Sequence, residues 1–238
     1  MNTERALLIR DNLERVRERI ANAERRAGRA EGSVTLIAVS KKMSADDIRA
    51  AIAAGQRDFG ENYAQELRDK RIELEAENLR WHYIGPLQSN KVRYVAGHTA
   101  LIHTIDSVEL LQDTARRTPE GTTQDCLVQV NVGGEAQKRG IAPAALGELL
   151  AAFGTQERVR CTGLMTLPPY LDSEEAVRPL FAELAGLMAS AANAAPKKNV
   201  ALSQLSMGMS HDLEAAVLEG ATLVRVGTAI FGERPRAT

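Results

Sequence analysis

Short apolar segments and helical stretches alternate along this chain in a number that few folds can use. The apolar segments begin near Val34, Arg57, Trp81, Leu101, Asp125, Val159, Leu202 and Leu223. Helical patterns fill residues 45–54, 63–78, 89–96, 107–117, 143–153, 173–193 and 211–219 between them. Such alternation implies parallel strands joined by right-handed crossovers. Eight of them close a (β/α)8 barrel. An open, doubly wound sheet is the competing arrangement, but no glycine-rich dinucleotide turn follows the first strand. Ahead of the alternation, residues 3–29 form one long helical pattern in which Ile9, Leu13, Val16 and Ile20 share a face. The expected class is therefore α/β: a single (β/α)8 TIM-type barrel with an extra N-terminal helix. One domain would span 1–238, with the barrel over 34–232. Residues 194–199 read as a polar loop before the seventh strand.

Charge and composition narrow the classes. The formal net charge is -1, which argues against a strongly basic nucleic-acid surface. No apolar run approaches the ~18 residues that span a membrane. The N-terminal Met-Asn-Thr-Glu-Arg lacks a signal-peptide apolar core, so a cytoplasmic location is expected. Cys126 and Cys161 fall in strand-like segments and read as buried reduced thiols. The histidines at 82, 98, 103 and 211 show no metal-ligand spacing, so no metal is expected.

The residues just past each strand carry the chemistry. The first apolar run, Val34-Thr-Leu-Ile-Ala-Val-Ser-Lys41, ends on a lysine. Barrels place their reactive groups at the carboxyl ends of the strands, and a desolvated amine there can attack a carbonyl to form a Schiff base. Strand seven leads into Ser206-Met-Gly208-Met-Ser210, and strand eight into Arg225-Val-Gly227-Thr228. Barrels often hold phosphate on the loops after these two strands, and glycine lets an anion approach the backbone. Ser210 is placed as the N-cap of a helix starting near His211. Arg225 lies on the same strand face as Gly227 and requires a partner: an acidic strand-end residue such as Glu61, or a ligand atom in the barrel mouth. An imine-forming lysine, a phosphate cradle and an arginine fit pyridoxal phosphate. They also fit a sugar phosphate held by a Schiff-base aldolase, and the residues alone leave both open.

The segments Ala38-Val-Ser-Lys41, Phe59-Gly-Glu-Asn-Tyr63, Trp81-His-Tyr-Ile-Gly-Pro-Leu-Gln-Ser-Asn-Lys91, Gly163-Leu-Met165, Leu205-Ser-Met-Gly-Met-Ser210 and Val224-Arg-Val-Gly-Thr-Ala-Ile-Phe-Gly232 separate the two. With them the chain resembles the pyridoxal-phosphate homeostasis (YggS/PROSC) family, and the matches run from the first strand to the eighth. The resemblance implies a barrel similar to the N-terminal domain of alanine racemase, with pyridoxal 5'-phosphate held as a Schiff base on Lys41. It implies Ser210, Gly227 and Thr228 around the phosphate, Arg225 facing the pyridine nitrogen, and Ser206 among the cofactor-binding residues. It also implies Asn62 near the ring and His82 and Met165 as pocket walls. Two places depart from the family pattern: Ser210-His211-Asp212, and the looser stretch Asn131 to Gly140 that contains Lys138.

A guanidinium donating to the ring nitrogen leaves it unprotonated, which makes the ring a weak electron sink. That favours a binder which buffers and carries the cofactor over a transaminase or decarboxylase. The alternative is an amino-acid racemase, which needs an acid/base on each face of its substrate. Alanine racemase takes one from a second domain, and this chain stops at Thr238. The expectation is thus a non-enzymatic, monomeric protein of vitamin B6 homeostasis, with pyridoxal-phosphate-dependent apoenzymes as candidate recipients and no nucleic-acid or membrane partner.

Overall fold

A computed structural model describes residues 3–135, 137–194 and 198–233. Residues 195–197 of the loop expected at 194–199, and Ala136 in the stretch around Lys138, lie outside the described residues. The eight strands are β1 (Thr35–Val39), β2 (Asp58–Glu61), β3 (Arg80–Tyr83), β4 (Leu101–Ile105), β5 (Gln124–Gln129), β6 (Val159–Met165), β7 (Val200–Ser206) and β8 (Leu223–Val226). All are parallel, each pairs with its successor in sequence, and β8 pairs with β1 to close the barrel. The helices are α1 (Thr3–Arg26), α2 (Ala45–Ala53), α3 (Ala64–Glu73), α4 (Val108–Arg117), α5 (Leu146–Thr155), α6 (Glu174–Ala194), α7 (Leu213–Leu218) and α8 (Thr228–Phe231). The pattern at 63–78 resolves into α3 and a 3-10 turn, and the one at 89–96 into a 3-10 stretch.

Most of these strands are covered on both faces, so they read as apolar runs without alternation. Their outward side chains pack under the helices. Inside lies a small apolar cluster of Ile37, Leu101, Leu127, Met165 and Leu223. Register places polar residues on the same inner face: Ile37 is opposite Arg225, Leu101 opposite His82, and Ser206 opposite both Met165 and Leu223. His103, two residues along β4 from Leu101, points the same way.

The N-terminal helix α1 is amphipathic, as the spacing predicts, and buries Ile9, Leu13, Val16 and Ile20 against α2, α7 and α8. Its buried Glu24 accepts hydrogen bonds from the Gly32 and Val34 amides and the Ser33 hydroxyl, which guides the chain into β1. No helix among the described residues is long and apolar enough to cross a membrane.

Candidate functional site

Lys41 stands two residues beyond the end of β1, in a turn closed by the Met43 N–H donating to the Ser40 carbonyl at 2.9 Å. Lys42 takes the left-handed conformation there (φ +62°), which costs energy for a side chain other than glycine. Neighbours fix the turn. The Lys42 N–H donates to Glu66 Oε1 at 2.5 Å, and the Ser40 hydroxyl donates to Glu61 Oε1 at 2.6 Å. Buried Lys70 Nζ then reaches the Ser40 carbonyl at 2.6 Å, Glu61 Oε1 at 2.8 Å and Glu66 Oε1 at 2.6 Å. Burial pushes the Glu61 carboxyl up to about 7 against the opposing pull of Lys70 and Ser40. Glu61 therefore belongs to Lys70, and the ion pair considered for it with Arg225 does not form.

The loops after β7 and β8 meet beside this turn. Gly208 has φ +92°, and a Cβ there would stand 2.6 Å from the Ala216 Cβ, so only glycine fits. Asp212 Oδ1 accepts from the Met209 N–H at 2.5 Å and holds residues 209–212 in a turn. That turn delays α7, whose N-cap residue is Asp212. Ser210 is consequently not the cap that its sequence position predicted. Its hydroxyl instead accepts from the Ala229 N–H at 3.3 Å, joining the β7 loop to α8, a one-turn helix the sequence reading missed. A Cβ on Gly227 would come within 3.3 Å of the Val39 Cβ, so glycine lets the β8 loop lie against the end of β1. Helix α1 braces both loops: Arg19 Nη2 donates to the Ser210 carbonyl at 3.0 Å and Asn12 Nδ2 to the Ile230 carbonyl at 2.8 Å.

Between these loops lies a cavity of about 240 Å³ at the carboxyl ends of the strands. It brings together Lys41, Asn62, Ser210, Arg225, Gly227 and Thr228, with Val39, Ile84, Leu167 and Phe231 as apolar wall. Arg225 is almost wholly buried. Burial pulls its guanidinium down to about 10, with Asp212 working the other way, so it stays charged at neutral pH. Nη1 donates to the Ser206 hydroxyl and Nη2 to the Thr166 carbonyl at 2.9 Å, which leaves further N–H donors for a ligand. Asn62 Oδ1 is buried in the structure without a hydrogen-bond partner.

Three of the expected residues do not line this cavity. Met165 lies in the apolar cluster inside the barrel. Ser206 is fully buried under Arg225. His82 lines a separate recess at the opposite rim with Asp58 and Arg80, and its Nδ1 lies 3.1 Å from Nε2 of His103, a residue the sequence reading passed over. Lys138 pairs with Glu135 at 2.9 Å and is not among the lining residues. Cys126 and Cys161 are buried free thiols. Burial pushes Cys161 up to about 12 and Cys126 well above its usual value. Among the described residues no group of three or more His, Cys, Asp or Glu side chains is arranged to hold a metal ion.

Comparison with known proteins supplies the family. Residues 12–235 match the model for the alanine racemase N-terminal domain. A pyridoxal phosphate homeostasis protein of Aquifex aeolicus is 44% identical over 225 residues, which cover 94% of this chain and 97% of that one. The solved structure of PipY of Synechococcus elongatus PCC7942 with PLP bound superposes with a TM-score of 0.82 at 38% identity, covering 94% of this chain and 100% of that one. Alanine racemase of Clostridium difficile 630 shares the fold alone: TM-score 0.68 at 18% identity, over 95% of this chain but 57% of the racemase. The chain belongs to the alanine racemase N-terminal domain family and, within it, to the pyridoxal phosphate homeostasis proteins.

Proposed function

We propose that this protein binds pyridoxal 5'-phosphate in the mouth cavity, covalently through Lys41, and buffers and carries it in intracellular homeostasis without a physiological catalytic reaction. The observation that carries the reading is one small cavity lined by the amine of Lys41, the hydroxyls of Ser210 and Thr228, the glycine loop at Gly227 and the buried guanidinium of Arg225. The names of the homeostasis relatives, and the PLP in the PipY structure, support the same ligand. When bound, the group supplies an aldehyde, a ring nitrogen and a phosphate dianion.

Each feature has a counterpart among the side chains. Lys41 offers the amine for the covalent link, on a turn tied down by Glu61, Glu66 and Lys70. Ser210, Thr228 and the backbone at Gly227 take the phosphate, because hydroxyls and amide N–H groups donate to an anion. Arg225 donates to the ring nitrogen and, as it keeps its own proton, leaves that nitrogen unprotonated. Asn62, on the cavity wall, offers its side-chain amide N–H to an acceptor of the ligand. Val39, Ile84 and Phe231 form an apolar wall that would shield the bound group from water. Ser206 supports the floor from behind through its bond with Arg225, while Met165 and His82 lie deeper in the barrel. The whole reading needs one domain and one chain.

Among the described residues, the titratable side chains of the cavity wall are Lys41, His211 and Arg225, with no tyrosine. A racemase needs a proton donor and acceptor on opposite faces, each contributing orders of magnitude in rate. That set favours a carrier. The test adds pyridoxal 5'-phosphate to cofactor-free protein and follows the visible absorption beside Lys41→Ala, together with an alanine racemisation assay. A visible band in the wild type that the variant lacks, without racemisation, is expected. Absence of a band in both proteins would move a sugar phosphate to the front. Sustained racemisation would overturn the carrier.

A further inference from the structure

Five buried polar side chains form an unbroken hydrogen-bonded line through the barrel. It starts at Asp58, at the entry end of β2, where the carboxylate is gripped by Arg80. His82 Nε2 lies 3.0 Å from Asp58 Oδ1, and His82 Nδ1 lies 3.1 Å from His103 Nε2. His103 Nδ1 lies 2.8 Å from Ser206 Oγ, which in turn accepts from Arg225 Nη1 at the cavity floor. Each member is at most 6% exposed. Buried polar groups at these distances must each find a donor or an acceptor, so the line has a proton order.

Both ends dictate the same order. Arginine only donates, so Ser206 Oγ accepts from Arg225 and its own O–H is available to His103 Nδ1. A carboxylate only accepts. Burial works against the Asp58 charge, but the bonds from His82 and Arg80 hold its carboxyl below the ordinary value. His82 Nε2 must therefore donate to Asp58, which in a neutral ring leaves Nδ1 as acceptor. His103 Nε2–H supplies that acceptor, and His103 Nδ1 receives the serine proton. Burial, with His82 and Arg225 adding to it, keeps the His103 ring neutral. Every bond thus runs from the guanidinium at the mouth toward the carboxylate at the far rim. A proton added to His82 would break the order: His103 would have to turn its N–H toward Ser206, and the serine would face two donors.

We infer that His103 is a positioning residue for the cavity: as the centre of a one-way hydrogen-bond chain from Arg225 to Asp58, it keeps Ser206 an acceptor and so aims the Arg225 guanidinium at the ligand. The second half of this statement rests on the proposal that Arg225 meets the ring nitrogen of pyridoxal 5'-phosphate. The chain itself does not.

The first test therefore uses cofactor-free, unmodified protein. Nitrogen-15 NMR of labelled histidine at neutral pH should show His82 and His103 both neutral with the proton on Nε2. A proton on Nδ1 of His103, or a doubly protonated ring at either position, would overturn the chain. The second test measures the Kd for pyridoxal 5'-phosphate. His103→Leu should raise it about tenfold, the loss of one charge-assisted alignment. His103→Gln should restore it to within about threefold, because its amide can donate to His82 and accept from Ser206 at once. Wild-type affinity in the leucine variant, or no rescue by glutamine, would reduce His103 to packing. If the unmodified protein binds no pyridoxal 5'-phosphate, the functional proposal falls while the tautomer measurement still decides the chain.

Discussion

Glu61→Gln should remove most of one pH-dependent loss of stability. The Glu61 carboxyl is fully buried, and burial lifts it from 4.5 to about 7 despite the Lys70 ammonium at 2.8 Å. A carboxyl raised on folding binds its proton more tightly in the native than in the unfolded chain. Its contribution is fully present below pH 4.5 and is lost as pH rises through about 7. The shift of about 2.5 pH units corresponds to roughly 3 kcal/mol. Glutamine keeps the shape and cannot titrate, and Lys70 retains Glu66 and the Ser40 carbonyl as partners. Urea unfolding from pH 5 to 8 measures the effect. The wild type should lose on the order of 2 to 3 kcal/mol relative to the variant across that range. Histidines such as His98, lowered by burial, act in the opposite direction, but equally in both proteins, so the difference isolates Glu61. Parallel curves would refute the reasoning and leave Glu61 ionised throughout. The turn that presents Lys41 would then rest on a buried ion pair.

Three further outcomes test the cavity and its supports. Gly208→Ala should cost about 2 kcal/mol or more, seen as a lowered thermal midpoint, since the new Cβ meets the Ala216 Cβ at 2.6 Å in a left-handed backbone. Ser210→Ala should raise the Kd for pyridoxal 5'-phosphate about tenfold with the fold intact, because one phosphate donor is lost. Arg19→Ala should cost about 1 kcal/mol of stability and also weaken that affinity. The side chain pairs with both Glu214 oxygens and holds the Ser210 carbonyl from the outer helix.

The barrel was legible because its strands are buried on both faces. Apolar runs mark such strands without needing alternation, and every predicted start falls within two residues of the observed strand, from Val34 against Thr35 to Leu202 against Val200. The same uniformity hides which way a side chain points. His103 sits in a strand buried at every position, and its partner Ser206 is 103 residues away, so nothing local marks it. The Ser210 cap was misread because an Asp two residues later competes for the same turn, and the Asp212 bond to the Met209 amide wins. Nothing in the sequence singles out Lys70 within its helical stretch, yet it is the buried cation that organises the Lys41 turn. The mouth residues Lys41, Ser210, Arg225, Gly227 and Thr228 were legible for a different reason. Strand ends in a barrel converge whatever the side chains do.

Borohydride reduction of the protein loaded with pyridoxal 5'-phosphate, with peptide mass mapping of the product, bears most directly on the central proposal. A single reduced adduct is expected on the peptide containing Lys41. It should be absent in Lys41→Ala, while some non-covalent cofactor is retained through the phosphate loops. An adduct on another lysine, or an undiminished adduct in the variant, would contradict covalent binding through Lys41.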